Sequence, residues 1–496
     1  MTLGTILLFS ASALLYGALL PARWRGWALL VVSVIAVYAL QPALPIRYSG
    51  FILPTVMLLL IVASWWTVRE KAETQPDDQA TFRRLDLTRD DLTTLIVIII
   101  LIIAVSFLRF IHADYRLVAS TPPPPETVIV SLVVVGILGA AIAIASRRVT
   151  INQKQLLTAM ILLIVAFFVV FKTEPLATEL SRILRSQSGQ NTSLASMIDL
   201  GWVGFSYVAF RLIHTLRDKQ TGILPALTLR EYMTYVIFFP AFTAGPIDRA
   251  ERFVEDYRAL PTLNRLDANR FTLGTTRIMS GLLKKFVIAD TLALGMALNP
   301  VNVGQVDSTL GMWVLLYGYA LRLYLDFSGY TDIAIGIGIL YGITLPENFS
   351  RPYLRTTITS FWQSWHMTLS NWARFYIFSP MSRWLLTRKP KPSPTVIVLA
   401  TQVATMVVIG LWHGVTLNFL IWGLWHGIGL FVHKQWSDRT RKWYRALNEK
   451  PTQKRLWTAF SWLLTFHYVV LGWVWFALPD LSASLRAFAI LFGGGA

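Results

Sequence analysis

The sequence predicts an all-α polytopic membrane protein with about 13 transmembrane helices plus interfacial and re-entrant helices. Three observations predict it. The 496 residues are 54% hydrophobic, with mean hydropathy +0.53, which excludes an ordinary soluble enzyme. Apolar runs recur, and most approach the ~20 residues needed to cross a ~30 Å hydrocarbon core. Basic residues cluster in alternate short loops beside those runs, as membrane topology requires.

Six simple runs come first: Ile6 to Leu20, Trp27 to Leu40, Phe51 to Thr67, Leu95 to Phe107, Val128 to Ala145 and Leu156 to Phe171. Residues 1–20 hold no Lys or Arg, so a signal peptide's basic segment is missing and the first run is expected to stay as a helix. Arg23 and Arg25, then Arg69, Lys71, Arg83, Arg84 and Arg89, then Arg147, Arg148 and Lys154 mark three basic loops. The loops between them are sparser in basic residues, with Arg47, Arg109 and Arg116. The basic loops are expected to be cytoplasmic, with the N-terminus outside. Thr121-Pro122-Pro123-Pro124-Pro125 reads as a stiff extracytoplasmic loop. Residues 173–196 form a polar, amphipathic connector.

From Met197 the texture changes. Spans shorten and carry Gly, Pro, Asp and Arg, as in the stretches 238–249 and 324–332. Irregular backbone at membrane depth is tolerated where protein or a watery cavity satisfies it. The expected division is therefore 1–172 as accessory helices, 173–196 as connector, 197–480 as functional core and 481–496 as the start of a further helix.

The net charge of +18 comes from 45 Lys and Arg against 27 Asp and Glu. Its placement in loops, without a binding motif, argues against nucleic acid. The absence of cysteine excludes disulfides, a thiolate nucleophile and cysteine-ligated metal. No P-loop, dinucleotide fingerprint or serine-hydrolase elbow is present. A transferase built from this chain must take its nucleophile from the substrate, with histidine as general base.

Two histidines stand in apolar surroundings, His366 in Trp365-His366-Met367 and His413 in Leu411-Trp412-His413-Gly414. Ionisable groups at membrane depth face a protein interior or cavity, and imidazole moves protons near neutral pH. The plainer reading makes each a structural residue bonded to backbone. The periodicity of Phe361 to Tyr376 predicts one interfacial helix, with Trp362, Trp365, His366, Leu369, Trp372 and Tyr376 on a single face. Asp326 and Asp332 are relays, ligands or simple ion pairs, Arg322 being the expected partner. Pro246, Asp248 and Arg249 read as a turn with a local charge pair. Gly410-Leu411-Trp412-His413-Gly414 recurs at 423–427; at ~100° per residue the two histidines lie ~140° apart on a straight helix, so they serve one site only if the chain breaks between them.

In order and spacing these stretches resemble the membrane-bound O-acyltransferase family. They are Phe239-Pro240, Gly245-Pro246-Ile247-Asp248-Arg249, Asp326-Phe327-Ser328-Gly329-Tyr330-Thr331-Asp332, Pro346-Glu347-Asn348-Phe349, Trp365-His366-Met367 and Leu411-Trp412-His413-Gly414. The resemblance covers about 197–480. It implies a ring of helices around a central tunnel, in the inner or plasma membrane. It also implies acyl transfer from a cytosolic thioester (acyl-CoA or an acylated carrier protein) to a hydroxyl of an extracytoplasmic envelope glycan or relay partner, with no bound cofactor or metal. His413 matches the family's essential histidine and His366 the second. The expected supporting pocket is Asp326, Ser328, Tyr330, Asp332, Asn348, Trp365, Trp412 and Arg249. A further partner is an extracytoplasmic accessory transferase. The rival readings are a proton-coupled transporter or flippase, and a scaffold for a separate transferase.

Overall fold

The computed structural model describes residues 2–69, 87–145, 152–263 and 267–494. Lys71, Arg83, Arg84, Arg147 and Arg148, used above for orientation, lie outside the described residues. Among those described, every regular element is helical. Seven helices are long and apolar enough to cross a membrane: Ala22–Ala39, Ser49–Val68, Arg89–Phe110, Gln153–Lys172, Thr309–Leu340, Pro394–His413 and Pro451–Ala477. Shorter apolar helices lie at Leu3–Leu19, Pro125–Ala141 and Leu481–Leu491. Hydropathy alone gave about 13 crossings. Two of the difference are the shorter helices Leu3–Leu19 and Pro125–Ala141; the rest falls after residue 197, where apolar sequence is cut by turns and by the π-helical turns Leu283–Ala289 and Arg374–Phe378.

The chain folds as two compact units. The first comprises Met1–Thr275 and Ala334–Leu345. All six N-terminal runs form helices. Arg89–Phe107 starts at a capping box in which the Thr88 hydroxyl and the Asp91 carboxylate each satisfy the other's backbone N–H. Pro125 opens its helix where a missing N–H costs nothing. The connector is a helix, Glu174–Gln187, tied down where Asp199 accepts from Arg185 Nε and Ser181 Oγ, both at 2.6 Å. It does not divide the units. The Gln153–Lys172 helix packs on Phe205–Thr221, so the change of texture at 173–196 falls inside one unit and the unit boundary lies at 275.

The irregular Phe238–Arg249 stretch is held by Arg211, which is 1% exposed. Its guanidinium donates to the carbonyls of Val236 (2.8 Å), Ala241 (3.1 Å) and Pro246 (3.4 Å). A buried carbonyl left unpaired costs ~1–3 kcal/mol. Arg211→Met should therefore destabilise the protein by at least ~3 kcal/mol, read as a lowered midpoint of thermal unfolding in detergent. A midpoint within a degree of wild type would show that the carbonyls find other donors.

The second unit comprises Thr276–Ile333 and Pro346–Ala496. Its centre is a hairpin of Pro394–His413 and Leu417–Ala446, seamed by glycine. A Cβ at Gly427 would stand 2.7 Å from Val403 Cα, one at Gly423 would stand 2.7 Å from the Met406 carbonyl, and one at Gly410 would meet the Phe419 carbonyl. Small residues let helix backbones approach where lipid offers no hydrophobic drive. The echo between 410–414 and 423–427 is thus two strands of one close seam. Gly423→Val, by contrast with Leu424→Val, should prevent the hairpin from closing and abolish recovery of monodisperse protein; comparable yields of the two variants would refute the seam.

Candidate active site

The expected helix over Phe361–Tyr376 is not continuous. Ile358–Trp362, capped by Thr357, ends, and Met367–Ala373 begins after His366, whose φ of 42° and ψ of 53° are left-handed. Such a conformation costs a non-glycine residue ~1–2 kcal/mol and needs surrounding structure to hold it.

Asn348 supplies that structure. Its carboxamide oxygen accepts from Thr368 Oγ1 (2.6 Å), Thr368 N–H (3.3 Å) and His366 Nδ1 (3.3 Å). Its backbone carbonyl accepts from Met367 N–H at 2.9 Å, and Ser350 N–H donates to the Ser364 carbonyl at 3.0 Å. The backbone donor at Thr368 settles which end of the amide faces the turn, so His366 must donate from Nδ1. The neutral imidazole then has a lone pair at Nε2. That atom is buried and has no hydrogen-bond partner among the described residues.

The surroundings are aromatic. The Phe327 ring stands edge-on to His366 at 4.7 Å between centroids, and Trp365 packs on Phe361, Phe349 and Trp473. Trp412 lies 6.2 Å from the His366 ring and 4.5 Å from the His413 ring. His413 is the last residue of its helix, because Gly414 turns to extended backbone at φ −178° and Thr416 caps the next helix. It is half-buried, walled by Phe476 at 4.7 Å and Trp422 at 5.7 Å. The chain thus breaks between the two echoed histidines, and His426, on the following helix, also packs on Trp422, at 4.9 Å. His366, His413, Asn348, Trp365 and Trp412 come together in one layer.

The acidic segment lies behind this layer. Asn348 Nδ2 donates to Thr331 at 3.4 Å, and Ser328, Tyr330 and Asp332 are buried. Asp332 pairs with Lys284 at 2.6 Å and Arg277 at 3.3 Å, and Asp326 pairs with Lys285. The expected partner Arg322 is in neither pair; those of Asp326 and Asp332 come from a helix some forty residues earlier. Arg277 also bonds Glu347, next to Asn348. Close approach is possible because a Cβ at Gly281 would stand 2.5 Å from the Gly329 carbonyl. Sequence reasoning missed Arg277, Lys284 and Lys285. Two adjacent lysines inside the run Leu282 to Ala289 were the available signal, since such charges at membrane depth need partners.

Arg249 lies in the first unit. It pairs with Asp218 at 3.0 Å and Glu251 at 2.8 Å, while Asp248 pairs with Arg252, so the expected local pair is differently partnered. His214, Asp218 and Glu251 bring their ligand atoms within 4.8 Å of one another, and the single Arg249 cation already pairs with both carboxylates.

The profile of the family described as MBOAT, membrane-bound O-acyltransferase, matches residues 149–472. A teichoic acid D-alanyltransferase of Streptococcus thermophilus is 33% identical over 57% of this chain and 70% of its own length. A probable alginate O-acetylase of Pseudomonas syringae is 34% identical over 59% of this chain and 52% of its own. A peptidoglycan O-acetyltransferase of Helicobacter pylori is 33% identical over 56% and 49%. The match thus spans about half the length of the two O-acetyl-transferring relatives. The family match takes in most of the chain, which belongs to the membrane-bound O-acyltransferase family.

Asn348→Ala should free the His366 ring to exchange tautomers. Nitrogen chemical shifts of labelled histidine should report a fixed Nδ1–H form in the wild type and a mixture in the variant. A fixed form in both would refute the role of Asn348.

Proposed function

We propose that this membrane-bound O-acyltransferase carries an acyl group, acetyl in the first instance, from a cytosolic acyl-CoA or carrier-protein thioester to a hydroxyl of an extracytoplasmic envelope glycan or relay partner, from a multi-pass position in the inner or plasma membrane. The observation that carries the reading is the buried, unpartnered Nε2 of His366, one indole away from His413.

His413 is the general base. It takes the proton of the incoming hydroxyl as that oxygen attacks the thioester carbonyl. The tetrahedral intermediate collapses with cleavage of the C–S bond, and the imidazolium returns its proton to the departing thiolate, leaving an ester and a thiol. His366 orients the acceptor. With its proton on Nδ1, it offers only a lone pair at Nε2, which suits accepting from the substrate hydroxyl and not donating to an oxyanion. The aromatic layer excludes water, which would otherwise compete as acceptor. Asp326, Asp332 and Asn348 hold the shape of the pocket. The ion pairs of both carboxylates weigh against a proton-relay role and so against the transporter reading.

Purified protein in lipid nanodiscs, given radiolabelled acetyl-CoA and envelope glycan, tests this. His413→Ala should lower transfer by at least ~100-fold, the worth of a general base. His366→Gly is the sharper control. Glycine suits the left-handed backbone at 366, so the variant should stay folded and lose less transfer than His413→Ala; abolished transfer in the folded variant would swap the two roles. Wild-type rates in folded His413→Ala would overturn the mechanism. Label accepted from an acylated carrier protein but not from acetyl-CoA would assign the donor.

A further inference from the structure

We propose that the second unit carries a binding site for one anionic phospholipid, in a cleft between the helices Leu417–Ala446 and Pro451–Ala477. The cleft has a volume of about 870 Å³ and is separate from the histidine layer described above. No carboxylate lines it.

The two helices are antiparallel partners joined by a short turn, and the basic side chains of the cleft stand on Leu417–Ala446 at the end toward that turn. At the end away from the turn the walls are chiefly Ile428, Val432, Leu464 and Phe460, with His433, Thr465 and Tyr468 among them. Next comes an aromatic waist, in which Trp457 packs on Trp443 at 4.9 Å and on Trp436 at 6.3 Å. Thr440 and Arg441 stand between Trp436 and Trp443, and Arg445 follows nearest the turn. Asp438, on the same helix and outside the cleft lining, pairs with Lys434 at 2.5 Å and more loosely with Arg441 at 3.7 Å. The turn adds Lys450, Lys454 and Arg455.

Length gives this gradient its meaning. The 30 residues of Leu417–Ala446 extend about 45 Å at ~1.5 Å per residue, well beyond a ~30 Å hydrocarbon core. Its last turns therefore lie at headgroup level when the apolar end is in hydrocarbon. Tryptophan belongs at the boundary between the two, and basic residues just beyond it attract anionic lipid. An acyl chain against Val432 and Leu464, a glycerol backbone at the tryptophans and a phosphate at Arg441 and Arg445 match the cleft level by level. The occupant is a phospholipid, because the apolar wall is continuous with the cationic end.

Native mass spectrometry of the full chain in detergent, with phosphatidylglycerol or phosphatidylcholine added at equal concentration, tests the site. One phosphatidylglycerol should be retained in preference to phosphatidylcholine. The double variant Arg441→Gln/Arg445→Gln should reduce that retention about thirtyfold, the combined worth of two basic residues near a membrane surface. Equal retention of both lipids, or undiminished retention by the double variant, overturns the proposal. A photoactivatable phosphatidylglycerol tests the wild type without a variant: adducts should fall on the segments 428–445 and 457–464. Adducts spread over other apolar helices would overturn it, as would displacement by excess coenzyme A, which would assign the arginines to a thioester donor.

Discussion

The carboxamide of Asn348 accepts three hydrogen bonds from one turn of chain, and the form of the histidine layer depends on them. Holding His366 in the left-handed region costs ~1–2 kcal/mol. Each hydrogen bond contributes ~0.5–1.5 kcal/mol net, and leaving a fully buried amide unpaired would cost ~1–3 kcal/mol. The three bonds to the side chain and the one to its backbone carbonyl together outweigh the strain. The same bonds place the proton on Nδ1. Geometry and protonation of His366 are thus set by one residue eighteen positions earlier.

Asn348 is itself anchored. Arg277 spans Asp332 and Glu347, so the loop that carries Asn348 is tied to the helix that carries Asp332. Ion pairs of this kind add little stability, since desolvation offsets much of the attraction, but removal of one partner strands a charge. Their contribution here is register: with Gly281 against Gly329 there is one depth at which Lys284 meets Asp332 and Lys285 meets Asp326. The glycine in Asp326-Phe327-Ser328-Gly329 is needed because its Cβ would strike the Gly281 carbonyl at 2.8 Å.

What the sequence disclosed follows from range. The six N-terminal helices were legible because hydropathy is a local property, and each expected run is a helix. The residues His366, His413, Asn348, Trp365 and Trp412 were legible as motif matches, and they assemble together. The break at His366 was hidden, because the periodicity of 361–376 is that of a helix and the departure is imposed from Asn348. The cations facing Asp326 and Asp332 were hidden for the same reason, lying 41 and 48 residues away. The unit boundary at 275 was hidden because packing of Gln153–Lys172 against Phe205–Thr221 outweighs the change in composition that marks 173–196.

The two histidines are held in unlike ways, which bears on the division of labour proposed for them. His366 is buried, locked at Nδ1 and fixed in a strained turn, so its ring has one available orientation. His413 ends a helix, is half-buried and is walled by rings, so contact with those rings limits rotation about its side chain. A group that positions a substrate benefits from rigidity, because effective concentration falls steeply with misplacement. A group that takes a proton from one oxygen and returns it to a sulfur must serve two positions in one turnover. In a layer made almost wholly of aromatic rings, polar interactions are strengthened by the low local dielectric, so few groups are needed and misplacing either would be costly.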